Sequence, residues 1–352
     1  MRIALVTERF LPALDGSTVT VKAVLDRFVD DGHEVRVVAP GPGLTSYRRS
    51  LVVRVRPLEK PGGQVLAALE DLAPDLVVVI SPGAVGRKAL KHARRLGIAT
   101  LVVEQSPVLD LTSDYWRAKV ADRADTLLVT SRWMVERVAG FGAEATLWTP
   151  GVDTSAFAPQ LRDPWLHTRW SRARSRSGPL VVVGVAGVRS RQDVRRLTAL
   201  AALPGIRPVV IGDVPQPDRL RSRLPGVVLT GPLATGDLTV ALPSLDVLVH
   251  AGEQETCCHL LRAASASGVP VVAPRAGGAP DVVRHLETGV LADPDDPHGL
   301  VRAVAAVAAD SRRSLLGCRA RQLACERDWT VALDELVERH VALSAGAGHL
   351  AA

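Results

Sequence analysis

Short runs of Val, Ile and Leu recur along the first half of the chain, and each is followed by a loop and a helical stretch. The runs do not alternate with polar residues, which predicts strands buried on both faces, as in a parallel sheet. The alternation of strand and helix is typical of a doubly wound α/β sheet. The clearest runs are RIALVT, EVRVVAP, DLVVVISP, TLVVEQ and TLLVTS.

The same pattern starts again after residue 178. A stretch rich in Pro, Ser and Arg separates the two sets of runs and predicts a connection between domains. The tail from about residue 297 is rich in Ala, Leu and Arg and is predicted to be helical. Two Rossmann-like sheets in tandem would place a cleft between them, with the carboxyl ends of the strands facing it. The second set comprises PLVVVGVAG, RPVVIGD, VVLTG, DVLVHAG and PVVAP.

Length and composition fit this two-domain interpretation. A chain of 352 residues is too long for one ordinary core, and its 47% apolar content is that of a globular protein. The net charge of +6 favours anionic partners, although solubility alone is the simpler explanation. Because no GxGxxG lies between a strand and a helix, hydride transfer with a nicotinamide cofactor is not expected. No motif indicates nucleic acid as a partner.

The amino-terminal apolar run ends at Glu8, which does not fit a signal peptide, and no stretch is long enough to span a membrane. We therefore expect a cytoplasmic protein, with any membrane contact peripheral and at the inner membrane face. A metal site built from His250, Cys257, Cys258 and His259 is disfavoured. Adjacent helical cysteines point about 100° apart, so thiols that fill the core are the preferred interpretation.

Residues 255–262, ETCCHLLR, are predicted to begin a helix. The backbone amides of Thr256, Cys257 and Cys258 would then lie at its amino end, where free N–H groups and the helix dipole favour a phosphate. Gly16 follows the first predicted strand, and its lack of a Cβ allows the backbone to approach a ligand closely. An ordinary strand-to-helix turn is the alternative for Gly16.

Residues 86–97, GRKALKHARRLG, predict a basic amphipathic helix, with Ala and Leu side chains, Leu96 among them, on the opposite side. Such a helix could dock on anionic lipid. An ordinary solvated face is preferred, because the sequence shows no exposed aromatic or bulky apolar residue beside the charges. The basic side consists of Arg87, Lys88, Lys91, His92, Arg94 and Arg95.

Several stretches, in their order and spacing, resemble glycosyltransferases of family 4, most closely the actinobacterial GDP-mannose-dependent α-mannosyltransferases. The resemblance covers nearly the whole chain. It implies the GT-B fold, in which two Rossmann-like α/β domains face a cleft and a carboxyl-terminal helix crosses back to the amino-terminal domain. The stretches are MRIALVTERFLPALDGSTVTV, PGVDTSAFAP, LPSLDVLVHAGEQET, ASASGVPVVAPRAGGAPDVV and ETGVLADPDD.

The resemblance also implies a division of the chain. Residues 1–155 are expected to form an acceptor domain and residues 179–325 a nucleotide-sugar domain, joined by a basic linker at 156–178. Residues 326–352 are expected to form a helix that packs back on the acceptor domain.

The activity that the resemblance implies is that of a retaining glycosyltransferase. It would transfer a hexose, with mannose the first choice, from a nucleotide diphosphate sugar such as GDP-mannose to an acceptor hydroxyl. No cofactor and no metal are expected. The acceptor would be a carbohydrate, a lipid or a small molecule, and peripheral contact with an anionic membrane is left open.

In the family, the acid that matches Glu255 binds hydroxyls of the transferred sugar near the reacting carbon. Glu255 is therefore the expected catalytic residue, with Glu253 as its local competitor. Gly277 and Gly278 match a loop near the donor, and another tight turn is an equal alternative.

The donor site departs from the family at three positions. The second acid of the E-x7-E pair falls on Ala263, which cannot accept a hydrogen bond from the ribose. The diphosphate-binding lysine falls on Gln192, and the family arginine falls on Gly187 or Val188. Arg189 and Arg191 are the expected substitutes. Losing two or three charged hydrogen bonds would weaken donor binding by on the order of 4–8 kcal/mol.

A further departure lies in the amino-terminal half. Pro107 stands near the position of a family Asp, and Glu104 and Gln105 are the remaining acceptor-side candidates. Together the departures keep two alternatives open beside the ordinary enzyme. One is a catalytically impaired protein that acts as a partner or binding subunit, and the other is an enzyme with a changed donor.

Overall fold

The computed structural model describes residues 1–12, 16–173, 178–188, 191–214, 217–342 and 344, with the backbone alone at residues 191 and 192. The chain divides into two compact units. The first unit contains Met1–Pro150 together with Trp329–Ala352, and the second contains Gly151–Asp328.

An eight-stranded sheet forms the centre of the first unit. Its strands are β1 (Arg2–Thr7), β2 (Glu34–Pro40), β3 (Ser46–Tyr47), β4 (Ser50–Val55), β5 (Leu76–Ile80), β6 (Ala99–Glu104), β7 (Thr126–Val129) and β8 (Thr146–Leu147). The order across the sheet is β3-β4-β2-β1-β5-β6-β7-β8. Among the described residues, the pairing of β3 with β4 is antiparallel and the others are parallel.

The second unit contains a six-stranded parallel sheet. Its strands are β9 (Val181–Ala186), β10 (Ile206–Val210), β11 (Val228–Leu229), β12 (Val247–His250), β13 (Val271–Pro274) and β14 (Gly289–Ala292). Their order is β11-β10-β9-β12-β13-β14. The prediction of two Rossmann-like α/β sheets is confirmed.

Helices connect these strands. They are α1 (Gly16–Asp30), α2 (Pro61–Leu72), α3 (Ala84–Leu96), α4 (Ser113–Lys119), α5 (Arg132–Ala139), α6 (Pro164–Ser171), α7 (Arg191–Thr198), α8 (Pro217–Arg223), α9 (Thr235–Ala241), α10 (His259–Ala266), α11 (Gly299–Ala309), α12 (Arg313–Cys325) and α13 (Trp329–Glu335). Short 3-10 helices lie at Asp110–Thr112, Ala121–Arg123, Pro159–Leu161, Ala199–Ala202 and Ala279–Asp281, and a π-helical turn, Leu336–Val341, continues α13. In the described part of the chain, no helix has the length and apolar character needed to cross a membrane.

The first sheet is covered on both faces, as its continuous apolar strands require. In β1, Ile3 and Leu5 belong to the apolar cluster that includes α1 and α13, whereas Ala4 and Val6 belong to the cluster that includes α2 and α3. Side chains alternate between the two faces of a strand, so one short run supplies both cores.

Two helices near the predicted domain limits can each be assigned to one unit. The helix α13 belongs to the first unit, where Ala332 and Leu333 are buried in the α1 cluster. The helix α6, from the range expected to be a linker, packs on β9 and β10 in the second unit, with Trp170 buried.

The strand orders determine which loops are neighbours. In the second sheet β9, β12 and β13 are adjacent, and in the first sheet β1, β5 and β6 are adjacent. Because these strands are parallel, the loops that follow them meet at one edge of each sheet.

Candidate active site

Glu255 lies in the loop that follows β12, at the carboxyl edge of the second sheet. The loop spans Ala251 to Cys258 and runs between the loops that follow β9 and β13. The Glu255 side chain is 19% exposed. Its backbone carbonyl accepts a hydrogen bond of 2.7 Å from the N–H of Gly278. The glycine pair predicted near the donor therefore contacts the loop of the predicted catalytic acid.

Gly277 makes this contact sterically possible. Its φ is +56°, and a Cβ at this position would lie 2.6 Å from the carbonyl oxygens of both Glu253 and Glu255. A larger residue would therefore force the two loops apart. The role of Gly277 and Gly278 in donor binding stays a prediction.

His250 ends β12 and faces Glu255. The imidazole is 3% exposed, and its Nε2 lies 3.7 Å from Oε2 of Glu255. Its Nδ1 accepts a hydrogen bond of 3.2 Å from the N–H of Gly252. In the neutral ring this accepting role leaves the proton on Nε2, on the side of the carboxylate.

Glu253, the alternative to Glu255 as the catalytic acid, forms an ion pair with a residue of α7. Its Oε1 forms an ion pair with Nη2 of Arg196 in α7, and the two side chains are 32% and 19% exposed. Arg196 was not among the residues expected at the site, although it follows Gln192, the expected lysine position, by four residues in the sequence. Glu253 is thus paired with α7, whereas Glu255 lies beside His250.

The prediction that a helix begins at residue 255 is wrong. The helix α10 begins at His259, and Cys258 before it has a left-handed backbone with φ of 54°, which a right-handed helix excludes. Thr256, Cys257 and Cys258 are instead buried in the preceding loop. Free helical amides therefore give no reason for these three residues to bind phosphate, and their donor role stays a prediction without that basis.

Ala263 and Arg262 lie in the buried part of α10. Ala263 is 4% exposed and belongs to the apolar cluster of the second unit. Arg262 is 8% exposed, and its Nε donates a 3.0 Å hydrogen bond to the carbonyl of Cys257, which ties the helix to the preceding loop. Burial lowers the pKa of the Arg262 guanidinium. At the register of the second family acid, this chain therefore has an apolar contact.

The cysteines next to Glu255 are core residues. Cys257 is 5% and Cys258 1% exposed. Burial raises the pKa of the Cys258 thiol well above its usual range, and the charge of Glu255 acts in the same direction. Within the residues that the structure describes, no three or more His, Cys, Asp or Glu side chains are grouped so that they could hold a metal ion.

Three other residues were predicted to bind the donor: Arg189, Arg191 and Gly16. Arg189 lies outside the described residues. The backbone of Arg191 begins α7, but its side chain lies outside the described part. Gly16 is the first residue of α1 and is exposed. The roles of all three stay predictions.

Glu104 ends β6 at the carboxyl edge of the first sheet and is 3% exposed. Its Oε1 accepts a hydrogen bond of 2.9 Å from the N–H of Ser106, and its Oε2 accepts one of 2.8 Å from the indole of Trp116. Burial raises the pKa of Glu104 to about 7, although these hydrogen bonds act in the opposite direction. Glu104 therefore anchors the segment after β6 and titrates near neutral pH.

Gln105, the second acceptor-side candidate, is 6% exposed. Its Oε1 accepts a hydrogen bond of 2.8 Å from the hydroxyl of Thr20 in α1. The amide thus links the end of β6 to the helix that begins at Gly16. Acceptor binding by Glu104 and Gln105 stays a prediction.

The basic helix α3 differs from its predicted pattern at two positions. His92 is 8% exposed and contacts Gly62 of α2, and burial lowers its pKa, so it is not part of the charged face. Leu96 is 39% exposed, although the sequence placed it on the apolar side. The burial of His92 arises from the packing of α3 against α2.

Exposed apolar residues lie beside α3. Tyr115 of α4 is 55% exposed, and the guanidinium of Arg87 lies 5.4 Å from its ring centroid. Leu111, one turn before Tyr115, is 99% exposed. The reason for preferring an ordinary solvated face therefore does not hold. We call this region the α3 surface, and it consists of Arg87, Lys88, Lys91, Arg94, Arg95, Leu111 and Tyr115.

Two family models match the sequence. The model described as Glycosyltransferase Family 4 matches residues 14–156, and the model described as Glycosyl transferases group 1 matches residues 178–310.

Curated relatives match over nearly the full length. A GDP-mannose-dependent alpha-mannosyltransferase of Mycolicibacterium smegmatis is 34% identical over 97% of this chain and 98% of its own. An enzyme of the same name from Corynebacterium glutamicum is 30% identical over 97% of this chain and 88% of its own.

Solved structures share the fold at lower identity. Anabaena HepE in complex with UDP and glucose has a TM-score of 0.79 at 16% identity, covering 97% of this chain and 100% of its own. The sucrose-phosphate synthase of Thermosynechococcus elongatus has a TM-score of 0.81 at 18% identity, covering 98% of this chain and 99% of its own. The chain therefore belongs to glycosyltransferase family 4 and has the GT-B fold.

Proposed function

We propose that this chain transfers a hexose, with mannose the first choice, from a nucleotide diphosphate sugar to an acceptor hydroxyl, with retention of the anomeric configuration. The observation that carries the proposal is the 34% identity, over nearly both full lengths, to a GDP-mannose-dependent alpha-mannosyltransferase. GDP-mannose is accordingly the first donor to test. The acceptor would be a carbohydrate, a lipid or a small molecule.

Glu255 is the residue proposed to bind the hydroxyls of the transferred sugar. Its carboxylate is partly exposed, and its backbone is held by Gly278. Glu253 is paired with Arg196 of α7, and Glu255 lies beside His250. Arg189 and Arg191 remain candidates, on sequence grounds, for the diphosphate, and no metal is invoked.

In the proposed reaction, the acceptor oxygen attacks the anomeric carbon on the face from which the diphosphate leaves. The bond between that carbon and the phosphate oxygen breaks, and the acceptor proton passes to the departing diphosphate. The protein would contribute by holding the sugar at Glu255 and by electrostatic stabilisation of the leaving group.

A protein that no longer catalyses transfer is the second candidate. The observation that favours it is the burial of Ala263 in the apolar cluster, where the family has an acid. An enzyme with a changed donor, one for which the usual ribose contact is dispensable, would show the same feature. The non-catalytic protein and the enzyme with a changed donor each predict donor binding that differs from that of a GDP-mannose-dependent enzyme.

We further propose that the α3 surface contacts anionic lipid, which would place the protein peripherally at the cytoplasmic face of a membrane. Cationic side chains next to exposed apolar ones are the combination that binds such interfaces. Tyr115, whose ring centroid lies 5.4 Å from the Arg87 guanidinium, supplies the apolar part together with Leu111, which precedes it by four residues.

Calorimetry with GDP-mannose, GDP, UDP-glucose and UDP measures donor binding, and a donor-hydrolysis assay measures activity. We expect the wild type to bind one of these nucleotide pairs and to hydrolyse its sugar form slowly. Glu255→Gln should abolish hydrolysis, whereas the matched control Glu253→Gln should retain most of it. No binding at millimolar ligand would contradict the enzyme proposal. Loss of hydrolysis in Glu255→Gln alone would exclude the non-catalytic candidate.

A further inference from the structure

The imidazole of His250 occupies a space that two glycines leave open. A Cβ on Gly187, in the loop after β9, would lie 2.5 Å from its Nε2. A Cβ on Gly252, in the loop after β12, would lie 2.9 Å from its Cε1. Gly187 also has a φ of +71°, a conformation that favours glycine. The loops after β9 and β12 therefore both need glycine where they pass the ring of His250.

The ring has a defined orientation. The hydrogen bond from Gly252 to Nδ1 directs Nε2 towards Glu255. The distance of 3.7 Å from Nε2 to the carboxylate is longer than a hydrogen bond, and such contacts often tighten when a substrate is bound. His250 is 3% exposed, so it lies behind the carboxylate and has little surface for a ligand.

We infer that His250 is a positioning residue that holds and orients the Glu255 carboxylate for the transferred sugar. The inference rests on the proposed function of Glu255. The Nε2–H would engage Oε2 and hold the carboxylate in the orientation that contacts a sugar hydroxyl. A carboxylate that is held in the productive orientation favours the reacting geometry of the bound donor.

Two other titratable groups near this pair, among the described residues, are Glu253 and Cys258. Glu253 of the same loop is paired with Arg196 of α7. The thiol of Cys258, the residue directly before α10, remains protonated because its pKa is raised well above the usual range. A carboxylate cannot donate to Glu255, and a thiol is a weaker donor than the Nε2–H of His250.

Three substitutions of His250 separate its two nitrogens. In His250→Gln, the amide nitrogen reaches roughly the place of Nε2 and can still donate to Glu255. In His250→Asn, the shorter side chain can still accept from Gly252 but no longer reaches the carboxylate. His250→Phe retains an aromatic ring and removes both polar contacts. A positioning role predicts that Gln behaves like the wild type and that Asn behaves like Phe.

The first test uses the unliganded protein and does not need activity. Crystal structures of the wild type and the three variants compare the side-chain conformation of Glu255. We expect one ordered Glu255 rotamer in the wild type and in His250→Gln, and a displaced or divided carboxylate in His250→Phe and His250→Asn. An unchanged Glu255 conformation in His250→Phe would overturn the inference, even if the protein proved to be inactive.

The second test measures donor hydrolysis with GDP-mannose. We expect kcat to fall at least about tenfold in His250→Phe and His250→Asn, with a donor Kd within about threefold of the wild type. His250→Phe should have no further effect in the Glu255→Gln background. A merely structural role would lower the melting temperature, reduce activity equally in all three variants, and add to the effect of Glu255→Gln. If the wild type binds no donor, the proposed function fails, while the crystal structures of the variants still decide the role of His250.

Discussion

The indole Nε1 of Trp148 donates a 2.8 Å hydrogen bond to the backbone carbonyl of Ala332. Trp148 directly follows β8 and is fully buried, and Ala332 lies in α13. The bond joins two segments of the first unit that are 184 residues apart in the sequence. An ion pair between Arg27 of α1 and Asp334 adds a second attachment for α13.

Substitutions of Trp148 should separate packing from hydrogen bonding. Trp148→Ala should lower the free energy of unfolding by about 3–5 kcal/mol, because it removes a large buried ring. Trp148→Phe should lower it by less, since most of the ring volume is retained. Urea denaturation followed by circular dichroism measures both. Equal losses in the two variants would contradict the proposed importance of packing.

Glu104 should make the protein less stable as the pH rises through neutrality. Its pKa is about 7 in the folded chain against an ordinary value of 4.5, so between these values the folded state binds more protons than the unfolded state. Stability from this group is therefore fully present below pH 4.5 and falls as the pH rises through 7, by about 3 kcal/mol in total. Urea denaturation from pH 5 to pH 8 measures the slope.

The variant Glu104→Gln provides the control for this slope, because its side chain resembles the protonated acid and does not titrate. Its stability should depend less on pH than that of the wild type, and it should be the more stable of the two at pH 8. Parallel curves for the two proteins would show that Glu104 does not titrate in this range.

Ala263→Glu tests whether the family register has been assigned correctly. If residue 263 faces the ribose, the new carboxylate should tighten GDP-mannose binding by roughly tenfold or more. The unliganded variant should melt at a lower temperature, because Ala263 is buried in an apolar cluster. Ala263→Gln, which has no charge, should give a smaller gain. An unchanged Kd in the glutamate variant, measured by calorimetry, would mean that the register is wrong.

The α3 surface should bind vesicles that contain phosphatidylglycerol but not vesicles of phosphatidylcholine alone. Each basic residue near an anionic surface contributes about 1 kcal/mol, so the double variant Lys91→Glu and Arg94→Glu should reduce binding at least tenfold. Leu111→Ser should also weaken binding, because it removes the most exposed apolar side chain. Co-flotation at low and high salt measures these effects.

Arg221→Glu with Arg223→Glu, in α8 of the second unit, makes the same change in net charge at another place. This control should bind vesicles like the wild type. If it loses binding to the same extent as the α3 variant, the attraction depends on overall charge and the α3 surface is not a specific site.

The sheets could be predicted from the sequence because their signal is local. A run such as Leu76–Ile80 is apolar throughout, and a strand buried on both faces requires that composition. The position of Glu255 after such a strand followed from the same pattern. The GT-B architecture came from the resemblance to the family, and the order of the strands was seen only in the structure.

The details of the site depended on contacts between distant residues, and local patterns do not report these. Cys258 has a positive φ although it is not a glycine, so α10 begins at His259 and not at the predicted residue 255. The burial of His92 depends on its contact with α2. The pairing of Glu253 with Arg196 depends on the neighbouring positions of β9 and β12.

The inclusion of α13 in the first unit has a consequence for biosynthesis. The ribosome completes all of residues 151–328 before it makes the segment that covers Phe28 and Trp148. The second unit is contiguous in the nascent chain and can fold while translation continues. The α1 face of the first unit is covered only after α13 has been made, and until then it exposes apolar surface to chaperones and to aggregation.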